Sequence, residues 1–157
     1  MPYPASYIAY ALVKKGIESG QFVTQMKLQK MVFFAHGYHL AKYNGEPLIQ
    51  ENFEAWRFGP VVPDIYQDFK LYGSSPIRDT DLCFAIPKDN VLYELDDKAK
   101  DAVEYTWEAT KDIGALALSN WTHAEDSPWS RVYQPGTLSV PIDNKDIKDY
   151  FENLLAA

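Results

Sequence analysis

The sequence predicts an α+β fold, mostly helical, with a small sheet of a few short antiparallel strands. Three observations predict it. Apolar residues recur at helical spacing in several separate stretches. Strand-like alternation is confined to short runs such as Phe53–Phe58. No repeat, low-complexity segment or linker divides the 157 residues, so one domain over 1–157 is expected.

The first helix is expected over 5–19, with Ile8, Leu12, Val13 and Ile17 on one stripe and Ser19-Gly20 as its stop. Thr24 is a good N-cap for a second helix over 25–43. The middle of that helix, Met31-Val-Phe-Phe-Ala35, is apolar nearly all round, which places it at the centre of the domain. Asn44-Gly45 ends it. Phe53–Phe58 reads as a strand with Trp56 and Phe58 on one face, broken by Gly59-Pro60. Pro63 suits the first position of a helix over 63–72, followed by Asp64 in its first turn and closed by Gly73.

Residues 74–95 hold only short alternations, Leu82/Phe84/Ile86 and Val91/Tyr93/Leu95, consistent with one or two strands. Asp96 caps a helix over 97–112 with Ala99, Val103, Trp107 and Thr110 facing inward. After Gly114 a short helix covers 115–122, and a loop carries Ser127-Pro128-Trp129. Leu138, Val140 and Ile142 form a last strand, which Pro141 places at a sheet edge. Asp143 caps a final helix over 144–155, with Ile147, Tyr150, Phe151 and Leu154 as its apolar positions.

Composition excludes several classes. A hydrophobic fraction of 46% and an aromatic fraction of 15% mark a globular chain. The single cysteine, Cys83, cannot form an internal disulfide, and no signal peptide or membrane span is visible, so the cytoplasm is the expected compartment. A net charge of −7 argues against a general nucleic-acid binder. Lys14-Lys15 and Lys27/Lys30 are the candidates for a local basic patch. An acidic surface suits a basic partner.

Catalytic motifs are absent from the sequence. It contains no Gly-x-Ser-x-Gly, no phosphate-binding glycine loop and no Gly-x-Gly-x-x-Gly. Cys83, between Leu82 and Phe84, reads as a buried, inert thiol. His36 and His39 share a helix face, but not at the i, i+4 spacing of the common helical zinc motif, so no metal or other cofactor is expected. A hydrolytic or nucleotide-modifying enzyme would need His36, His39, His123 and a carboxylate to converge. The stronger signal is aromatic: 11 Tyr and 4 Trp, residue types enriched at protein interfaces. Tyr3, Tyr43, Trp129 and Tyr133 lie in or beside predicted loops and ends, and are less readily assigned to the core than Phe33 and Phe69.

Lys27-Leu-Gln-Lys30, Phe33–Tyr43, Phe53-Glu-Ala-Trp-Arg-Phe-Gly-Pro-Val-Val-Pro-Asp64, Ile65-Tyr66, Tyr72-Gly73, Leu118-Ser119, Thr122-His123 and Pro128-Trp129 together resemble the Panacea domain, the SocA-like antitoxin family. This family was long catalogued as a phage-associated domain. The resemblance spans about residues 5–133. It implies an antitoxin of a toxin–antitoxin system, in the setting of prophages and phage defence, that binds a protein toxin, usually encoded next door. It also implies an alternative, an adaptor that hands the toxin to a bacterial protease. Many members carry an additional N-terminal DNA-binding domain, whereas this chain starts directly at the Panacea-like region. The family supplies no agreed catalytic residues.

Two roles are open for the 53–64 motif. Gly59, Pro60 and Pro63 build a strand-to-helix corner, with His123 and Pro128 as further structural motif residues. Trp56, Arg57, Phe58, Tyr66, Trp129 and Tyr133 are the candidate partner-binding residues. The terminal Leu155-Ala156-Ala157 resembles the small apolar tags that bacterial unfoldase–proteases recognise, and is expected to be either a degron or a fraying helix end.

Overall fold

The computed structural model describes residues 2–83, 95–136 and 140–156. Its helices are α1 (Ala5–Ser19), α2 (Gln25–Lys42), α3 (Pro63–Phe69), α4 (Asp97–Thr110), α5 (Ala115–Thr122), α6 (Pro128–Val132) and α7 (Asn144–Ala156). Its strands are β1 (Phe53–Trp56), β2 (Gly59–Val61) and β3 (Pro141–Ile142), ordered β2-β1-β3 with both pairings antiparallel. The fold is α+β.

Helix α2 is the axis of the molecule, and α1, α3, α4, α5, α7 and β2 all pack on it. Its all-round apolar character requires this: Leu28, Met31, Val32, Phe33, Ala35 and Leu40 are each at most 1% exposed. Gly37 marks where α7 crosses, because a Cβ there would lie 2.2 Å from the Phe151 ring. Phe33, Phe34 and Trp121 complete an edge-to-face aromatic cluster around Phe151. The α2–α4 contact is fixed by Asp101, whose carboxylate accepts from Tyr38 (2.9 Å), Tyr43 (2.7 Å) and Lys42 (2.8 Å).

Most ends fall where local chemistry puts them. Thr24 Oγ1 accepts from Lys27 N at 3.3 Å, Asp96 Oδ1 from Ala99 N at 2.8 Å, and Asp143 Oδ1 from Lys145 N at 2.9 Å. Asn44 and Gly45 take φ of 58° and 85° to end the α2 region. Helix α3 starts on Pro63 and tightens into a 3₁₀ turn over Lys70–Tyr72 before Gly73.

Four expectations need correction. The strand expected over Phe53–Phe58 ends at Trp56. Arg57 and Phe58 form the tip of a hairpin, and Gly59-Pro60 are not a break but the start of the returning strand, with Trp56 opposite Gly59 and Ala55 opposite Pro60. Pro60 is tolerated because β2 is an edge strand. The segment expected as a loop at Ser127–Trp129 opens α6, with Ser127 Oγ accepting from Ser130 N at 3.1 Å and Pro128 at the first helical position. Finally, Leu154 is 36% exposed and Leu155 packs against the core instead. The alternations through Phe84, Ile86, Val91 and Tyr93, and Leu138 of the last strand, lie outside the described residues.

Candidate functional site

The β1–β2 hairpin is tied by side chains from two directions. Three successive carbonyls at its tip each lie within hydrogen-bond distance of a side chain of the α5–α6 segment. Trp129 Nε1–H donates to the Trp56 carbonyl at 2.6 Å, His123 Nε2 lies 3.1 Å from the Arg57 carbonyl, and Ser119 Oγ–H donates to the Phe58 carbonyl at 2.9 Å. His123 Nδ1 is also 2.5 Å from the Ser119 carbonyl. Carbonyl oxygens only accept, so a neutral ring serves one of the two, whereas the imidazolium donates to both. The His123 ring packs on Trp129 (centroids 3.9 Å apart), and Trp129 stacks on Tyr133 at 4.6 Å. Helix α6 aims Trp129 because Ser127 caps it and also bonds the Thr122 carbonyl at 2.8 Å.

The opposite side of the hairpin rests on α2. Gln29, 3% exposed, pairs with Val62 as a neighbouring strand would, accepting from its N–H at 3.0 Å and donating to its carbonyl at 3.2 Å. Gly59 has φ +120°, and a Cβ on it would stand 2.7 Å from Lys30 Cε and 2.8 Å from Thr122 Oγ1. The hairpin therefore sits directly on the Lys30 side chain.

So braced, the tip borders an open groove of about 660 Å³, with Gln25, Gln29 and Lys30 of α2 among its lining residues. Trp56, Arg57, Phe58, Val61 and Tyr66 line it from the hairpin and α3. Phe58 is 58% exposed and Tyr66 40%, and Trp56 packs on Tyr66 with centroids 5.6 Å apart. Arg57 lies over the Phe58 ring at 5.4 Å. Lys30 is only 2% exposed, and burial pushes its amine down to about 8. Among the described residues that amine has no hydrogen-bond or ion-pair partner. Gln25 Nε2 donates to the Phe69 carbonyl at 3.3 Å, while its buried Oε1 has no partner among the described residues.

The candidate residues thus divide by position. Trp56, Arg57, Phe58 and Tyr66 meet around the groove. Trp129 and Tyr133 are half-buried on the bracing side with His123 and Pro128, and Gly59, Pro60 and Pro63 build the hairpin's return and the start of α3. Leu155 is half-buried, Ala156 ends α7, and Ala157 lies outside the described residues. Tyr3 and Tyr43 are tied into the fold: Tyr3 OH accepts from Asp96 N at 2.8 Å, and Tyr43 OH donates to Asp101. Lys15 pairs with Glu104, Lys27 donates to the Lys111 carbonyl and Lys30 is buried, so these lysines do not form an exposed patch.

The three histidines are held in different places. His36, fully buried, accepts from Leu48 N at 3.3 Å and meets Asn144 Oδ1 at 2.9 Å, and burial pushes it down to about 4. His39 Nδ1 is 2.6 Å from the Glu46 carbonyl. Cys83 is buried. Among the described residues no three of His, Cys, Asp and Glu gather as a metal site, and no helix is long and apolar enough to cross a membrane. Sequence reasoning had not singled out Gln25, Gln29 or Lys30 as parts of one site. The available signal was position, since Lys30 falls on the same helical stripe as Met26 and Phe33.

The helical domain thus clamps a β-hairpin between its central helix and a later helical segment and leaves an aromatic groove beside it. Its family follows from comparison with known proteins. The chain belongs to the family described as Antitoxin SocA-like, Panacea domain, which it matches over residues 28–130. It is also similar to the protein named Antitoxin SocA of Caulobacter vibrioides (strain NA1000 / CB15N), with 33% identity over 159 aligned residues covering 94% of this chain and 81% of that relative. No solved structure matches it.

Proposed function

We propose that this protein is an antitoxin that neutralises a protein toxin by binding it directly. Family membership supports the antitoxin role. The observation that carries direct binding is the groove: Phe58, on a hairpin whose backbone is tied on both sides, and Tyr66, on α3, stay exposed beside it. Large apolar side chains on a rigid, half-open surface lose little rotamer freedom on docking, so they suit a protein interface. Neutralisation at nanomolar affinity corresponds to about −12 kcal/mol and an interface on the order of 1,600 Å². The partner is expected to be the product of the adjacent gene.

The test is co-expression with that neighbour in a bacterial host. Restored growth and co-purification of the two proteins at unchanged toxin level support direct binding. Restored growth with falling toxin, dependent on a host protease, points instead to the adaptor role. Failure to restore growth or to bind refutes the proposal.

A further inference from the structure

We propose that the groove seats an acidic, apolar peptide segment of the partner, with a carboxylate on the Lys30 amine and flanking apolar side chains against Trp56, Phe58 and Tyr66. The inference rests on the reading that the partner is a protein.

Three observations carry it. The first is charge. The chain is acidic overall at −7, yet none of the residues lining this groove is a carboxylate and its two cations are Lys30 and Arg57. The second is a pair of polar groups without partners among the described residues, the Lys30 amine and the buried Gln25 Oε1, both on side chains that line the groove. Gln25 is 9% exposed and Lys30 2%. A buried polar group without a partner is unfavourable, and an isolated cation more so. A peptide supplies both complements, a carboxylate oxygen for the amine and a backbone N–H for the amide oxygen. A purely apolar occupant supplies neither.

The third is the rim. Met26 (37% exposed), Phe58 and Tyr66 surround the opening, and Leu71 and Leu116, within two residues along the chain of lining residues 73 and 115, are 66% and 71% exposed. Apolar surface around a desolvated cation strengthens a charge-assisted hydrogen bond formed there. Arg57 is at the rim, where a second acidic residue or the segment's backbone carbonyls would meet its guanidinium.

The experiment uses the purified protein and the toxin it neutralises, with affinity read by calorimetry. Lys30→Met is expected to bind about 100-fold more weakly while melting no lower than the parent. Neutralising one toxin carboxylate should give the same loss, and the two losses should not add. The exposed Arg57→Glu, which leaves the core untouched, should weaken binding at least about tenfold. Lys30→Met and Arg57→Glu that each bind within threefold of the parent overturn the inference and leave the antitoxin proposal standing. A parent protein that binds no toxin removes both. A dimer of the isolated protein that Phe58→Asp dissolves would assign the groove to a second copy and likewise overturn the inference.

Discussion

The indole N–H of Trp129 donates to the backbone carbonyl of Trp56 at 2.6 Å, joining residues 73 positions apart. Trp129→Phe keeps most of the ring stack on His123 and Tyr133 but leaves that carbonyl without its donor. A loss of about 1–2 kcal/mol is expected, read as a lower urea midpoint with unchanged slope. Combined with His123→Ala, the losses should be non-additive, because both side chains hold the same turn.

Gly59→Ala is expected to cost about 2 kcal/mol or more, because it combines a positive φ with contacts at 2.7 and 2.8 Å on Lys30 and Thr122. Thermal unfolding measures it. A melting temperature unchanged within a degree would contradict the described seating of the hairpin on Lys30.

Lys30→Met is expected to raise stability by about 1–3 kcal/mol, since a lone buried cation is replaced by an apolar chain of similar length. The sign follows from linkage. The folded-state pKa of about 8 lies below the unfolded value of 10.5, so the amine's contribution is fully present above 10.5 and lost as pH falls through 8. The stabilising effect should therefore be complete at neutral pH and shrink between pH 8 and 10.5. Denaturant titrations at pH 7 and 10 test this.

His36 gives a second pH window. Its pKa is depressed from 6.5 to about 4, so its contribution is present above 6.5 and lost as pH falls through 4, by up to about 3 kcal/mol. His36→Gln should flatten this part of the stability–pH curve relative to the parent. Parallel slopes for the two proteins between pH 6.5 and 4 would refute the assignment.

Helix ends were the most legible part of the sequence. Thr24, Asp96 and Pro63 act within one turn of chain, and the all-round apolar Met31–Ala35 run announces a central helix. The hairpin was misplaced because Gly59-Pro60 carries a local breaker signal, while what permits Pro60 in a strand is the non-local fact that β2 lies at an edge. Helix α6 is only five residues long, too short for periodicity to show. At the site, the exposed aromatics were visible by residue type. The bracing bonds were not, since Ser119, His123 and Trp129 meet the turn across 61 to 73 residues with no local pattern. Lys30 was hidden for a different reason: lysine is rarely buried, so its type argued for the surface and only its helical phase argued against it.

The braced hairpin also sets an order of events during synthesis. Trp56, Arg57 and Phe58 leave the ribosome early, but the side chain that ties the Trp56 carbonyl follows 73 residues later. At roughly 5–20 residues per second, that interval is about 4–15 seconds. A nascent chain passes through that interval with its hairpin tip already translated but not yet held in shape.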